Sequence, residues 1–184
     1  MGKGHLDWPI IAEIKTQNSN YLRLPPSPLP VRHKWFTIKL LDDAMTTSST
    51  TSIRVRYAET DAMGIVHHAV YPVWMELGRS DLLRAMGQGY SEWEAQGVFM
   101  AVGELRVKYR APAHYDELVT IRTWVKEAGR RKVVFGYEVA RDGVRLAEGE
   151  TLHLVVGPDG RNRTLPEPML ALVKGALEST TAAV

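Results

Sequence analysis

From Ile53 the chain alternates with a period of two, Ile53, Val55 and Tyr57 on one side and Arg54 and Arg56 on the other, the pattern of a half-buried strand. After a loop the period changes. Val70, Val73, Trp74 and Leu77 recur at helical spacing, and Met75, Leu82, Leu83 and Met86 widen the apolar side beyond one stripe, so a largely buried helix is predicted from Pro72 to about Arg84. Gly87-Gln-Gly89 stops it, and Tyr90 to Gln96 reads as a short second helix or turn with Trp93 inward. Four strand-like segments follow, at about Phe99 to Tyr109, Glu117 to Lys126, Lys132 to Ala140 and Arg145 to Val156. Alternation is plainest in Val119, Ile121, Thr123 and Val125, and again in Val133, Phe135, Tyr137 and Val139. Ala128-Gly-Arg130 and the Asp-Gly pair of Arg141-Asp-Gly-Val144 supply hairpin turns, and Pro158-Asp-Gly160 ends the last strand. A closing helix is predicted from Glu167 to Glu178, with Pro168 in its first turn. One long helix with about five antiparallel strands makes an α+β layer in which a curved sheet wraps the helix. Ala147 and Gly149 place small side chains on one face of the last strand, as a close helix approach requires.

Residues 1–52 follow no such pattern. Leu24-Pro-Pro-Ser-Pro-Leu-Pro30 favours extended chain, Trp35 to Leu41 could form a lone short strand, and Met45 to Ser52 reads as a polar linker. The expected organisation is a poorly ordered extension over 1–52, one domain over 53–178 and a tail over 179–184. A proline-rich arm that docks a partner is the alternative reading of the extension.

Composition narrows the function classes. With 45% hydrophobic and 24% charged residues in 184, the chain is globular and fits one domain plus an extension. A net charge of +2 is too small to argue for nucleic acid. The absence of cysteine removes a disulfide framework, a thiolate nucleophile and a cysteine-based zinc site, and the six histidines show no His-Glu-x-x-His spacing, so no metal is expected. No apolar run reaches the roughly 18 residues of a membrane span, and Asp7 and Glu13 interrupt any secretion signal, so a soluble cytoplasmic protein without a membrane partner is expected. P-loop, dinucleotide and Gly-x-Ser-x-Gly motifs are absent.

Chemistry concentrates between Arg56 and Glu76. There Asp61, Gly64 and the pair His67-His68 lead from the first strand into the long helix, which sets an acid just upstream of a helix N-terminus. Unpaired N–H groups and the positive dipole end of a helix can hold a carbonyl oxygen whose negative charge grows during attack, while a carboxylate delivers or activates the nucleophile. Taken alone, Asp61 reads as a turn or N-cap residue.

The pattern Tyr57-x-x-Thr60-Asp61-x-x-Gly64-x-Val66-x-His68-x-x-Tyr71, followed by Glu76, resembles the hotdog-fold acyl-CoA thioesterases of the 4-hydroxybenzoyl-CoA thioesterase and YbgC type. The resemblance covers roughly Ile53 to Val173 and continues in Tyr109-Arg-Ala-Pro112, Arg130-Arg131-Lys132 and Leu165-Pro166-Glu167. It implies a hotdog fold and hydrolysis of an acyl-CoA thioester, with no cofactor beyond the coenzyme A of the substrate. Asp61 matches the catalytic carboxylate, as general base or nucleophile, and the backbone N–H of His68 matches the group that binds the thioester oxygen. Gly64 lets the loop turn tightly. Tyr71 and Glu76 are supporting candidates, Glu76 reading equally as an ion pair with Arg79 or Arg54. The family places an Arg-Arg pair at the rim that binds the nucleotide, which implies Arg130, Arg131 and Lys132, with Lys108 and Arg110 as weaker candidates; otherwise the basic run is a solvated turn. In the family two sheets join edge to edge with the active site at the boundary, so a homodimer or homotetramer is implied. A non-catalytic acyl-CoA-binding module and a hotdog dehydratase acting on hydroxyacyl thioesters are the alternatives.

Overall fold

The computed structural model describes residues 48–181, with side chains through Leu177, and the expectations for residues 1–47 lie outside them. The elements run β1 (Ser48–Arg54), α1 (Val70–Ala85), α2 (Tyr90–Ala95), β2 (Phe99–Tyr109), β3 (Leu118–Ala128), β4 (Lys132–Arg141), β5 (Val144–Val156) and α3 (Glu167–Thr181), with a single 3-10 turn at Tyr57–Glu59. All strand pairs are antiparallel, and the five strands lie in the order β1-β3-β4-β5-β2. The α+β layer expected from the sequence is therefore present, with α1 against one face of the sheet.

Two boundaries differ from expectation. The first strand begins at Ser48, so Ser48 to Ser52, read as linker, pair with Thr120 to Trp124 of β3. Polar side chains suit this edge strand because they meet polar groups of α1: Ser49 Oγ donates to the Gly78 carbonyl at 3.5 Å and Thr51 Oγ1 to Asp81 Oδ2 at 2.7 Å. Helix α1 begins at Val70, ahead of Pro72, which falls in the first turn where a missing N–H costs no intrahelical bond. The Asp-Gly hairpin forms as expected, with Asp142 (φ 48°) and Gly143 (φ 79°) both left-handed, the backbone of a turn whose twist matches its strands.

One apolar cluster joins the layers. Trp74, Met75, Leu82 and Leu83 of α1, Ile121 and Val125 of β3, and Phe135 and Tyr137 of β4 are all buried, and Met169, Leu170 and Val173 of α3 extend the same core. The sheet comes so close to α1 that a Cβ at Gly78 would stand 2.4 Å from Thr123 Oγ1 and 3.0 Å from Ile121 Cγ2. At Gly149 a Cβ would stand 2.6 Å from Met75 Cε, which gives the small residue expected there its reason. Gly78→Ala, ordinarily a gain in a helix interior, is thus expected to destabilise by about 1–3 kcal/mol through overpacking. Thermal unfolding of that variant checks it; an unchanged or raised Tm would show that the contact is not tight.

The two sheet edges differ. Among the described residues edge strand β2 is paired on one side only, and its helix-facing Val102, Leu105 and Tyr109 are 54%, 45% and 46% exposed. On α1, Val73 and Leu77 are also exposed, so apolar side chains accompany a strand edge that has no partner among the described residues.

Candidate active site

The segment between β1 and α1 is held from within. Glu59, 5% exposed, accepts from the Arg56 amide at 2.8 Å, from Arg56 Nη2 at 2.9 Å and from Trp74 Nε1 at 3.3 Å. Burial alone would push its carboxyl up, but these donors outweigh burial and hold it below the usual glutamate range. Its backbone carbonyl accepts the His67 amide at 2.9 Å, so the buried anion and the entry to α1 are tied together. Sequence reasoning passed over Glu59. The Arg56-x-x-Glu59 spacing, in which a glutamate reaches back to an amide three residues earlier, was the available signal.

Asp61 sits in the turn that follows. Its Oδ1 accepts the Met63 amide at 2.8 Å, its carbonyl accepts the Gly64 amide at 2.9 Å, and its own amide donates to Ile65 O at 2.9 Å. Gly64 takes φ 73°, which closes this turn and which side-chain-bearing residues rarely adopt. The loop is clamped from outside by the β2–β3 connection, since Val66 N donates to Ala113 O and Ile65 bridges to His114. Asp61 therefore caps its turn through one oxygen, while Oδ2 has no hydrogen-bond partner among the described residues.

At the helix entry the His67 amide is spoken for, and His67 O and Nδ1 accept the amides of Val70 (3.0 Å) and Ala69 (3.2 Å). His68 differs: its carbonyl accepts Tyr109 Oη at 2.9 Å, and its amide has no acceptor among the described residues. Tyr71, 2% exposed, packs its ring 5.0 Å from Trp74 and edge-on to Tyr109 at 5.1 Å, and burial pushes its phenol up. Asp61, Met63, His68, Tyr71, Tyr109 and Arg110 line a cavity of about 360 Å³. A larger hollow of about 510 Å³ lies on the opposite face of the sheet, but most of its lining charges are taken up in pairs such as Lys126–Glu150 and Arg145–Glu138.

The structure thus brings Asp61, His68, Tyr71 and Arg110 to one cavity, with Gly64 in its loop. Arg110 also pairs with Glu148 at 2.5 Å. The remaining candidates lie elsewhere in the chain. Lys108 lines the opposite-face hollow. Glu76 is exposed on α1, 3.9 Å from Arg79, while Arg54 pairs with Asp116 instead. At the β3–β4 turn Arg130 pairs with Glu167 at 2.5 Å and Lys132 with Glu127 at 2.9 Å, and Arg131 has no carboxylate partner among the described residues. No three His, Asp or Glu side chains among the described residues are grouped so as to hold a metal ion, and no described helix is long and apolar enough to cross a membrane.

A five-stranded antiparallel sheet with a long helix on one face, and an acid loop feeding that helix, define a hotdog-fold protein. Residues 63–148 match the family described as the thioesterase superfamily, a match that begins just past Asp61. The acyl-CoA thioester hydrolase YbgC of Escherichia coli is 32% identical over 66% of this chain and 92% of its own length. A Bacillus subtilis protein provisionally named acyl-CoA thioesterase YneP is 45% identical over 50% of this chain and 66% of its own length. The crystal structure of hypothetical protein TT1821 from Thermus thermophilus, 46% identical, superposes with a TM-score of 0.67 over 68% of this chain and 97% of that one. The chain belongs to the thioesterase superfamily.

Proposed function

We propose that the chain hydrolyses acyl-CoA thioesters to a free carboxylic acid and coenzyme A, the activity named for its YbgC relative. The observation that carries this reading is the meeting, at one cavity, of a carboxylate oxygen and a helix-entry N–H that both lack partners among the described residues. With the thioester carbonyl oxygen on the His68 amide, Asp61 takes a proton from water as the water oxygen bonds to the carbonyl carbon. The tetrahedral oxyanion is held by that amide, the C–S bond breaks, and the departing thiolate recovers the proton from Asp61. In the alternative route the Asp61 carboxylate itself attacks, expels the thiolate and leaves a mixed anhydride that water opens. Tyr109 donates to the His68 carbonyl and so holds the residue that carries the donor, on the side away from the N–H itself. Both routes use only the chain's own groups, water and the substrate. A thiol-release assay against a panel of acyl-CoAs tests the reading, and intact recovery of every substrate would sink it.

The nucleotide end is assigned to the Arg130–Arg131–Lys132 turn, because guanidinium forks match phosphate geometry and Arg131 is not engaged with a carboxylate; Lys108 and Arg110 lie toward the other end of the sheet, since Lys132 aligns through Leu154 with Ala101 while Lys108 pairs with Glu148. Arg130→Ala with Arg131→Ala is expected to raise KM for acyl-CoAs several-fold with little change in kcat. Short thioesters lacking the nucleotide should be unaffected, and salt should weaken the unaltered protein in the same direction. Equal loss on both substrate types would return these arginines to the fold.

The β2 edge and its apolar side chains are assigned to a second copy of the chain, which would pair β2 with β2 and cover Val102 and Leu105. Light scattering is expected to show a dimer or tetramer, and a fully active monomer on dilution would contradict the assignment. The lack of cysteine suits the reducing cytoplasm, where the reaction is placed.

A further inference from the structure

A second cavity of about 360 Å³ opens on the helix side of the sheet, between α1, α2 and the start of β2. Phe99, Met100 and Val156 give it apolar walls, and Glu76, Arg79, Ser80, Tyr90 and Glu94 its polar groups. Arg79 is unusual there: its side chain is only 11% exposed, and the nearest carboxylate described, Glu76, stands at 3.9 Å and is itself 69% exposed. The guanidinium is aimed instead by neutral groups. Its Nε donates to Tyr90 Oη at 2.8 Å, and its carbon lies 5.5 Å from the Tyr90 ring centroid. A largely buried cation with no carboxylate closer than 3.9 Å among the described residues, in a cavity that Phe99, Met100 and Val156 also line, is equipped to receive an anion that arrives attached to an apolar stem. Glu76 and Glu94 at the mouth are exposed, so water screens them more than the buried guanidinium.

In its own chain this cavity lies at the opposite end of β2 from Asp61, roughly 30 Å away at about 3.3 Å per strand residue. An antiparallel β2–β2 pair using the full strand is centred near Glu104 and sets Phe99 of one copy opposite Tyr109 of the other. Both cavities open on the same face, so the Arg79 cavity of one copy then adjoins the Asp61 cavity of the second. Resting on the thioesterase and dimer readings above, we propose that Arg79 selects the acyl group. The favoured substrates are acyl-CoAs whose acyl chain ends in a carboxylate, the stem lying on Met100 and Val156 and the terminal charge on Arg79.

The test compares kcat/KM for adipyl-CoA with that for 6-methylheptanoyl-CoA, whose terminal isopropyl group copies the carboxylate's shape without its charge. The unaltered protein is expected to prefer adipyl-CoA by roughly 10- to 100-fold, the worth of hydrogen bonds to a charged group. Arg79→Met should bring the ratio to about one and Arg79→Lys should keep part of it. Should Arg79→Met fail to fold, Tyr90→Phe, which frees the guanidinium while leaving its charge, should lower the ratio partway. A ratio near one in the unaltered protein, or a ratio that survives Arg79→Met, overturns the assignment while leaving the thioesterase reading intact. Hydrolysis of neither substrate class across a broad panel would overturn both.

Discussion

Asp61→Asn is expected to lower turnover of acyl-CoA by roughly 10²–10⁴-fold, the usual loss on removing a general base, and by more if the carboxylate is the nucleophile. The substitution keeps the side-chain oxygen that accepts the Met63 amide, so the turn through Gly64 should hold and the Tm should move little. Binding of intact acyl-CoA should persist or tighten, because a negative charge no longer faces the thioester while the His68 amide remains. Hydrolysis, binding and melting measured on one preparation separate the outcomes. A variant as fast as its parent would remove Asp61 from the chemistry, and one that unfolds would leave it as a turn cap.

Glu59→Leu is expected to damage both stability and turnover. Leaving the Trp74 indole N–H, on a residue 2% exposed, without its acceptor costs about 1–3 kcal/mol, and the Arg56 amide loses its acceptor as well. Loss of these anchors should let the helix entry drift, since His67 N donates to Glu59 O. kcat/KM should therefore fall further than the loss of folded protein explains, with Glu59→Gln milder on both counts. Acid should act in the same sense. Because the folded-state carboxyl is held below the ordinary glutamate range, its contribution is whole above that range and is lost as the pH falls through and below it. Melting curves from neutral pH into the acid range check this: Glu59→Gln should show a shallower acid dependence than the parent, and parallel curves would assign the acid loss to other groups.

The period of two in β3 and the helical spacing of α1 were legible because each buries mainly one face, and burial writes itself into residue type; β4, buried on both faces from Val133 to Tyr137, was legible as an apolar β-branched and aromatic run. The start of β1 was not, because Ser48 to Ser52 earn their place through backbone pairing with β3 and polar contacts to α1, and neither leaves an apolar signature. Gly78 was passed over for a related reason: only the sheet's distance from α1 makes a Cβ there intolerable. Within the site, Asp61, Gly64 and His68 were singled out through the family resemblance, since one short loop carries all three positions of the motif. The roles of Glu59 and Arg79 depend on groups brought from other elements, Trp74 in one case and the α2 tyrosine in the other, and pairwise contacts of that kind have no sequence period. The basic turn at Arg130 was visible as a charge run, but Glu167 and Glu127 take up two of its three charges, which only the folded chain reveals.

The most direct test of the account is a single-turnover experiment with the protein in excess over an acyl-CoA, following free thiol and bound acyl-CoA together. The account predicts one thiol released per acyl-CoA supplied, with the bound thioester disappearing at the same rate, and no comparable release by Asp61→Asn. Acyl-CoA that binds and stays intact on the unaltered protein would contradict it and leave a binding module in place of an enzyme.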